Sequence, residues 1–209
     1  MPPKERTPAV EALVFDIGNV ILRVHPDRAA RALASRAAVG ARRLLQVVAQ
    51  EAPLKDFQEG RVRAHEWYRC LRELLALRVT FREFCDVWNL VLDPKPILEE
   101  TLFATLAKRY RLVLLSNTDP IHVAHMHRNF RFPQYFPFRI YSCAFGASKP
   151  APDIYREAIQ CAGVEPGQIL YTDDVPEYVE AGRKAGMQAV CFENRRKFYA
   201  QLRRRRILP

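Results

Sequence analysis

The sequence has few cysteines, little lysine and no long apolar run, and each shortage excludes something. The five cysteines, Cys70, Cys85, Cys143, Cys161 and Cys191, are odd in number, widely spaced and never arranged as Cys-x-x-Cys. That argues against a disulfide framework and against a zinc site, and it predicts reduced, mostly buried thiols. No apolar run approaches the roughly 18 residues that a membrane-spanning helix needs. The segment Met1 to Val10 carries Pro, Lys, Glu and Arg without an apolar stretch, so no secretory signal is expected there. The expectation is a cytoplasmic protein with no membrane partner. No internal repeat is visible. The one low-complexity element, Arg203 to Arg206, reads as a solvated tail. Only seven of the 33 basic residues are lysine, so the net charge of +10 is carried by arginine. Such a surface attracts phosphorylated metabolites and nucleic acid alike. Net charge alone is non-specific, and a nucleic-acid partner is not favoured.

What is present is enough to build a folded core. The chain has 209 residues, 49% of them hydrophobic. That suits one full domain with a smaller one inserted. Ala12 to Phe15 reads as a buried parallel strand, short and apolar, ending at a Gly-Asn turn. From His25 to about Leu92 the pattern is helical, with no convincing strand. Pro26 suits the first position of a helix, and Thr80 with Glu83 forms a capping box for another. Trp67, Leu71, Leu74 and Leu75 recur at helical spacing, as do Phe81, Phe84, Cys85 and Trp88.

After Asp93-Pro94-Lys95-Pro96 helix and strand alternate. Helices are expected over 97–110, 120–129, 152–162 and 177–185, and over 195–205 as a last helix or tail. Strands are expected over 112–115, 138–142, 169–172 and 189–192. This is the rhythm of a parallel sheet covered on both faces. The expected fold class is α/β, a Rossmann-like core over residues 1–21 and 96–209 with a small helical domain, residues 22–95, inserted after the first strand.

Four signals carry chemistry. The first apolar run ends on Asp16, in Phe-Asp-Ile-Gly-Asn-Val. A second, Leu112 to Leu115, ends on Ser116-Asn117. Lys149 sits in Ser-Lys-Pro. A third run, Ile169 to Tyr171, leads through Thr172 into Asp173-Asp174. Singly, each reads as easily as a turn, a cap or a solvated loop. In this order they place a nucleophile, a hydroxyl, a cation and paired acids beyond the carboxyl ends of parallel strands, where open α/β sheets bind ligands.

The pattern resembles the haloacid dehalogenase superfamily, whose members are mostly phosphatases. The resemblance runs from Ala12 to about Phe192. The wording Phe-Asp-Ile-Gly-Asn-Val, Ser-Asn-Thr and Ser-Lys-Pro-Ala-Pro-Asp-Ile-Tyr is most similar to bacterial alpha-D-glucose-1-phosphate phosphatase-like sugar phosphatases. It implies that Asp16 is the nucleophile, Ser116 the second-motif hydroxyl and Lys149 the third-motif lysine. Asp173-Asp174 are the implied fourth-motif acids. It further implies a Mg²⁺ held by Asp16, the carbonyl of Gly18 and Asp174, with Asp173 a supporting or alternate ligand. Phosphate would be bound by Ser116, the backbone amide of Asn117, and Lys149. The inserted helices would be a cap domain. Two positions depart from the family pattern. Gly18 stands where most of its phosphatases carry a second Asp, and Tyr178 stands four residues after Asp174, where an Asp or Asn is usual.

The chemistry suits those residue types. A phosphate monoester repels an attacking carboxylate, and a hard divalent cation with oxygen ligands suppresses that repulsion. The expected function is Mg²⁺-dependent hydrolysis of a small phosphate monoester, a sugar phosphate first, through an aspartyl-phosphate. Two alternatives stay open. One is a dehalogenase in which Asp16 attacks carbon, which needs no metal. The other is a catalytically silent binding protein. His122, His125 and His127 share a helix and read as packing or surface groups. Glu59, Gly60, His65, Trp67 and Trp88 are weaker pocket candidates, the tryptophans reading first as helical-domain core.

Overall fold

The computed structural model describes residues 8–209; the segment before it, where no secretory signal was expected, lies outside the described residues. Five parallel strands form one sheet in the order β3-β2-β1-β4-β5. They are β1 (Ala12–Phe15), β2 (Arg111–Ser116), β3 (Phe138–Tyr141), β4 (Ile169–Asp173) and β5 (Gln188–Cys191). Side chains alternate between the faces of a strand. Leu13, Phe15, Leu112, Leu114 and Leu170 enter one buried cluster. Ala12, Val14, Val113, Leu115, Ile169 and Tyr171 enter the other. Both faces are covered by helices, which is why the central strands read as unbroken apolar runs. Phe15 holds the first cluster, with its ring edge-on to Phe103, Phe136 and Phe198 at 5.6 to 5.9 Å.

Register decides where the chemistry falls. Phe15 lies opposite Leu114 on one side and Thr172 on the other. Asp16, Ser116 and Asp173 therefore emerge along one edge of the sheet. The Asp16 N–H donates to the Thr172 carbonyl at 2.9 Å, carrying the ladder one residue past the strand.

Between β1 and β2 the chain forms helices from Pro26 to Val91. Their core is aromatic. Phe57 stacks on Trp67 at 4.8 Å, and Trp67 meets Trp88 edge-on at 5.5 Å. Leu74, expected in the apolar stripe, is 46% exposed instead; Tyr68 takes its place in the core. The capping box at Thr80 and Glu83 forms as read. The entry and exit of this segment are tied together. Val24 bridges Leu92, and Asp93 accepts from His25 (3.2 Å) and Arg28 (3.1 Å). The segment also touches the sheet domain at Gly60. There φ is +73°, and a Cβ would stand 2.1 Å from the Cys143 carbonyl oxygen, so only glycine fits.

Most other elements fall within a residue or two of expectation. The helix expected over 97–110 is confined to Glu100–Leu106; at its start, Leu98 is buried in the sheet core and Ile97 packs against it ahead of the N-cap Glu99. A short helix, Ser142–Phe145, follows β3 and was not expected. The last helix is Arg195–Arg204, anchored by buried Phe198 and Leu202, and Arg203 to Arg206 are exposed, as read. No helix among the described residues is long and apolar enough to cross a membrane.

Candidate active site

Lys149 is the centre of the strand-end cluster. Its Nζ lies 2.6 Å from Asp16 Oδ1 and 2.6 Å from Asp173 Oδ2, with all three side chains buried. Burial disfavours the ammonium, but the two carboxylates outweigh it and its pKa is raised. The Lys149 main chain is held by Asn117, whose Oδ1 accepts from the lysine N–H (2.8 Å) and whose Nδ2 donates to its carbonyl (3.0 Å). Tyr178 lies over the ammonium, 5.1 Å from ring centroid to Nζ. The residue that departs from the family pattern thus packs on this lysine.

The paired acids have different surroundings. Asp173 is fully buried, and both its oxygens are taken: by Lys149, by the Tyr171 hydroxyl and by the Val175 N–H (2.9 Å). Among the described residues the Asp174 carboxylate accepts from Asn19 Nδ2 alone, at 3.1 Å. Asn19 has a left-handed φ of 51°, which asparagine tolerates, and its Oδ1 holds the Val24 N–H at 3.1 Å.

Asp16, Asp173 and Asp174 each present an oxygen within 4.8 Å of the others. With one lysine among three carboxylates the cluster keeps an excess of negative charge. Burial pushes Asp16 up to about 7; Lys149 opposes this, while Asp173 and Asp174 add to it. An all-oxygen donor set that is short of positive charge fits a hard divalent cation such as Mg²⁺.

Ser116 is buried and, with Gly18 and Asn117, opens onto a cavity of about 210 Å³ between the sheet edge and the helical segment. Trp88 lines this cavity as well as the helical core. The other weak candidates lie elsewhere. Trp67 is fully buried, His65 stacks on Phe81, and Glu59 pairs with Ser148 and Arg61. Sequence reasoning missed Asp119, Gln58 and Asn19. His122, read as packing or surface, is buried against Asp119 on the cavity wall. The signal available for that pair was Asp119 preceding Pro120 as a helix N-cap, with His122 one turn on.

A model of the haloacid dehalogenase-like hydrolases matches residues 10–186, and the chain belongs to that family. A D-ribitol-5-phosphate phosphatase from Bacteroides thetaiotaomicron is 26% identical over 191 residues, 88% of this chain and 93% of its own. A HAD family enzyme from the same organism, solved with magnesium and inorganic phosphate, superposes with a TM-score of 0.80 at 21% identity, over 89% of this chain and 96% of that one. L-2-haloacid dehalogenase from Xanthobacter autotrophicus superposes less well, with a TM-score of 0.63 at 19% identity, over 96% of this chain and 85% of that one.

Proposed function

We propose that the chain is a Mg²⁺-dependent phosphatase of small phosphate monoesters, acting through an aspartyl-phosphate on Asp16. The observation that carries this is the Asp16 carboxylate just past β1, paired with Lys149, with Ser116 at the end of the neighbouring β2 and Asp174 left open to a metal. Asp16, the Gly18 carbonyl and Asp174 would hold the ion, and Asp173 would hold Lys149. When bound, Mg²⁺ neutralises charge between nucleophile and phosphate. Lys149 and Ser116, with the Asn117 amide, would stabilise the phosphoryl oxygens in transfer. Asp16 attacks phosphorus, the ester oxygen leaves, and water then releases phosphate from Asp16. Residues 22–95 act as a cap domain over this edge.

The three-carboxylate cluster favours this reading over carbon attack, which uses no metal, and over a silent binding protein. The substrate is a small phosphorylated metabolite, and sugar phosphates come first, given the relative that hydrolyses D-ribitol 5-phosphate. The test is turnover of p-nitrophenyl phosphate. Activity should require Mg²⁺, vanish with chelator and return on adding the metal. Activity unaffected by chelation would overturn the metal-dependent reading.

A further inference from the structure

The cavity beyond Ser116 has walls of one character. Val24, Val48, Leu54, Val91, Leu92 and Met126 line it, with Trp88 among them. The polar side chains that reach it are mostly spent on one another. Asp119 takes four donors: the N–H groups of Ile121 (2.9 Å) and His122 (3.0 Å) on one oxygen, Trp88 Nε1 (3.0 Å) and His122 Nδ1 (2.8 Å) on the other. His122 Nε2 faces the Trp88 carbonyl at 3.2 Å. A carboxylate and a carbonyl are both acceptors, so both ring nitrogens donate and the ring is an imidazolium. Its pKa is raised accordingly: burial lowers it, and Asp119 outweighs burial.

Trp88 is thus gripped by its indole N–H and by its backbone. Its ring lies 13° from parallel to that of His122, 5.8 Å between centroids. The Asn117 side-chain amide is occupied by the Lys149 backbone. Among the described residues lining the cavity beyond Ser116, the side chains of Gln58 and Thr118 alone remain without a hydrogen-bond partner there. A fully hydroxylated sugar brings several hydroxyls, and each one stranded in an apolar site costs affinity. At about 210 Å³ the space compares with the ~150 Å³ that holds a benzene ring.

We infer that the leaving group this enzyme selects is a single six-membered ring with an apolar side turned to the wall that Val24, Val48, Leu54 and Trp88 form, bearing polar substituents only where Gln58 and Thr118 meet them. Asp119 and His122 are positioning residues that fix the Trp88 plane. The inference rests on the phosphatase reading but departs from its sugar-first order: open-chain polyol phosphates, the class for which the D-ribitol-5-phosphate phosphatase is named, fall at the weak end here.

The experiment compares tetrahydropyran-2-ylmethyl phosphate with glucose 6-phosphate, in Mg²⁺. Both leave as primary alcohols from the same ring skeleton, and one lacks the hydroxyls. The stripped compound should show kcat/KM at least roughly tenfold higher, through KM. His122→Asn should raise KM for it while kcat stays nearly constant, a split that general loss of structure would not produce. Trp88→Leu should do the same more strongly. Because Trp88 also serves the helical core, Val48→Thr is the safer companion. It keeps the shape, adds a hydroxyl to the wall and should narrow the gap by improving glucose 6-phosphate. Equal or better turnover of glucose 6-phosphate by wild type overturns the inference and leaves the phosphatase reading intact. No hydrolysis of either compound or of p-nitrophenyl phosphate overturns both.

Discussion

On the floor of the cleft Lys149 bridges Asp16 and Asp173 at 2.6 Å each, on residues that end or adjoin parallel strands. On its roof Trp88 is clipped to the start of the helix Pro120–Asn129 by Asp119 and His122, amid aliphatic side chains from the inserted helices. The floor is charged; its carboxylates are positioned by a backbone hydrogen-bond ladder, and Lys149 by the Asn117 side chain. The roof is apolar and positioned by side chains drawn from distant segments. A ladder fixes atoms with little dependence on what surrounds it, so the floor supplies the same chemistry under different roofs. The roof can change its lining without disturbing the ladder, which suits it to choosing the leaving group.

The sharpest way to break this comparison is at the nucleophile. Asp16→Asn should lower turnover by about 10³-fold or more, since a covalent nucleophile is lost, while the melting temperature stays close to wild type. Activity within about tenfold of wild type would remove Asp16 from its role.

The next test separates the paired acids. Asp174→Ala should raise the Mg²⁺ concentration for half-maximal activity by roughly 10- to 100-fold, in the range seen when a ligand's surroundings are lost. Asp173→Ala should act first on stability. It strips Lys149 of one of its two buried partners, and breaking a buried pair costs about 3–5 kcal/mol, or roughly 6 °C or more in a domain of this size. If Asp173→Ala is the more damaging for Mg²⁺ affinity, the assignment of the two acids is off by one residue.

Gly18 offers a smaller and more selective effect. Without an acid there, departure of the ester oxygen receives no proton from that position, a contribution typically of about 10²–10⁴-fold. Wild type should therefore prefer a sugar 1-phosphate, whose anomeric oxygen is the better leaving group, to the 6-phosphate of the same sugar. A Cβ at Gly18 would lie 3.5 Å from Val24 Cγ2 and 3.6 Å from Asp16 Oδ2, ordinary contact distances. Gly18→Asp is therefore sterically open and should raise kcat/KM for the 6-phosphate more than for the 1-phosphate. Equal gains on both would show that proton delivery is not what the position lacks.

The smallest effect belongs to the roof and is read as stability against pH. The His122 pKa is raised above its unfolded value, so the stability it contributes is full below that value and is lost as pH rises through the folded one. Asp119 is the opposite case: burial would raise it, its donors outweigh burial, and its pKa is lowered. Its contribution is present above the ordinary carboxylate range and is lost in acid. Thermal melts of wild type should therefore decline on raising pH from 6 toward 9, and His122→Asn should flatten that part of the profile. Parallel declines in the two proteins would mean that the clasp is not the titrating element.

The floor was largely legible before any coordinates. Apolar strands ending on Asp16, Ser116 and Asp173-Asp174 can be read because a parallel strand buried on both faces is a continuous apolar run, and its last residue marks the sheet edge. Even there the division of labour between Asp173 and Asp174 came from the resemblance, and only the packing shows which acid faces Lys149. The roof was not legible. Nothing in Asp119 or His122 announces a cavity wall, because their role depends on Trp88, which lies 31 residues from Asp119 in sequence.

Taken by itself, the amino-acid sequence determined the α/β alternation, the inserted helices and the order of the four chemical signals, since each depends on local periodicity or on a strand end. The tertiary structure alone decided that Asn117 grips the Lys149 backbone, that Tyr178 covers its ammonium, and that Trp88 is held at both ends above an apolar cavity. Those are contacts between segments far apart in the chain. Their partners are chosen by how the helical segment settles on the sheet, which no short pattern encodes.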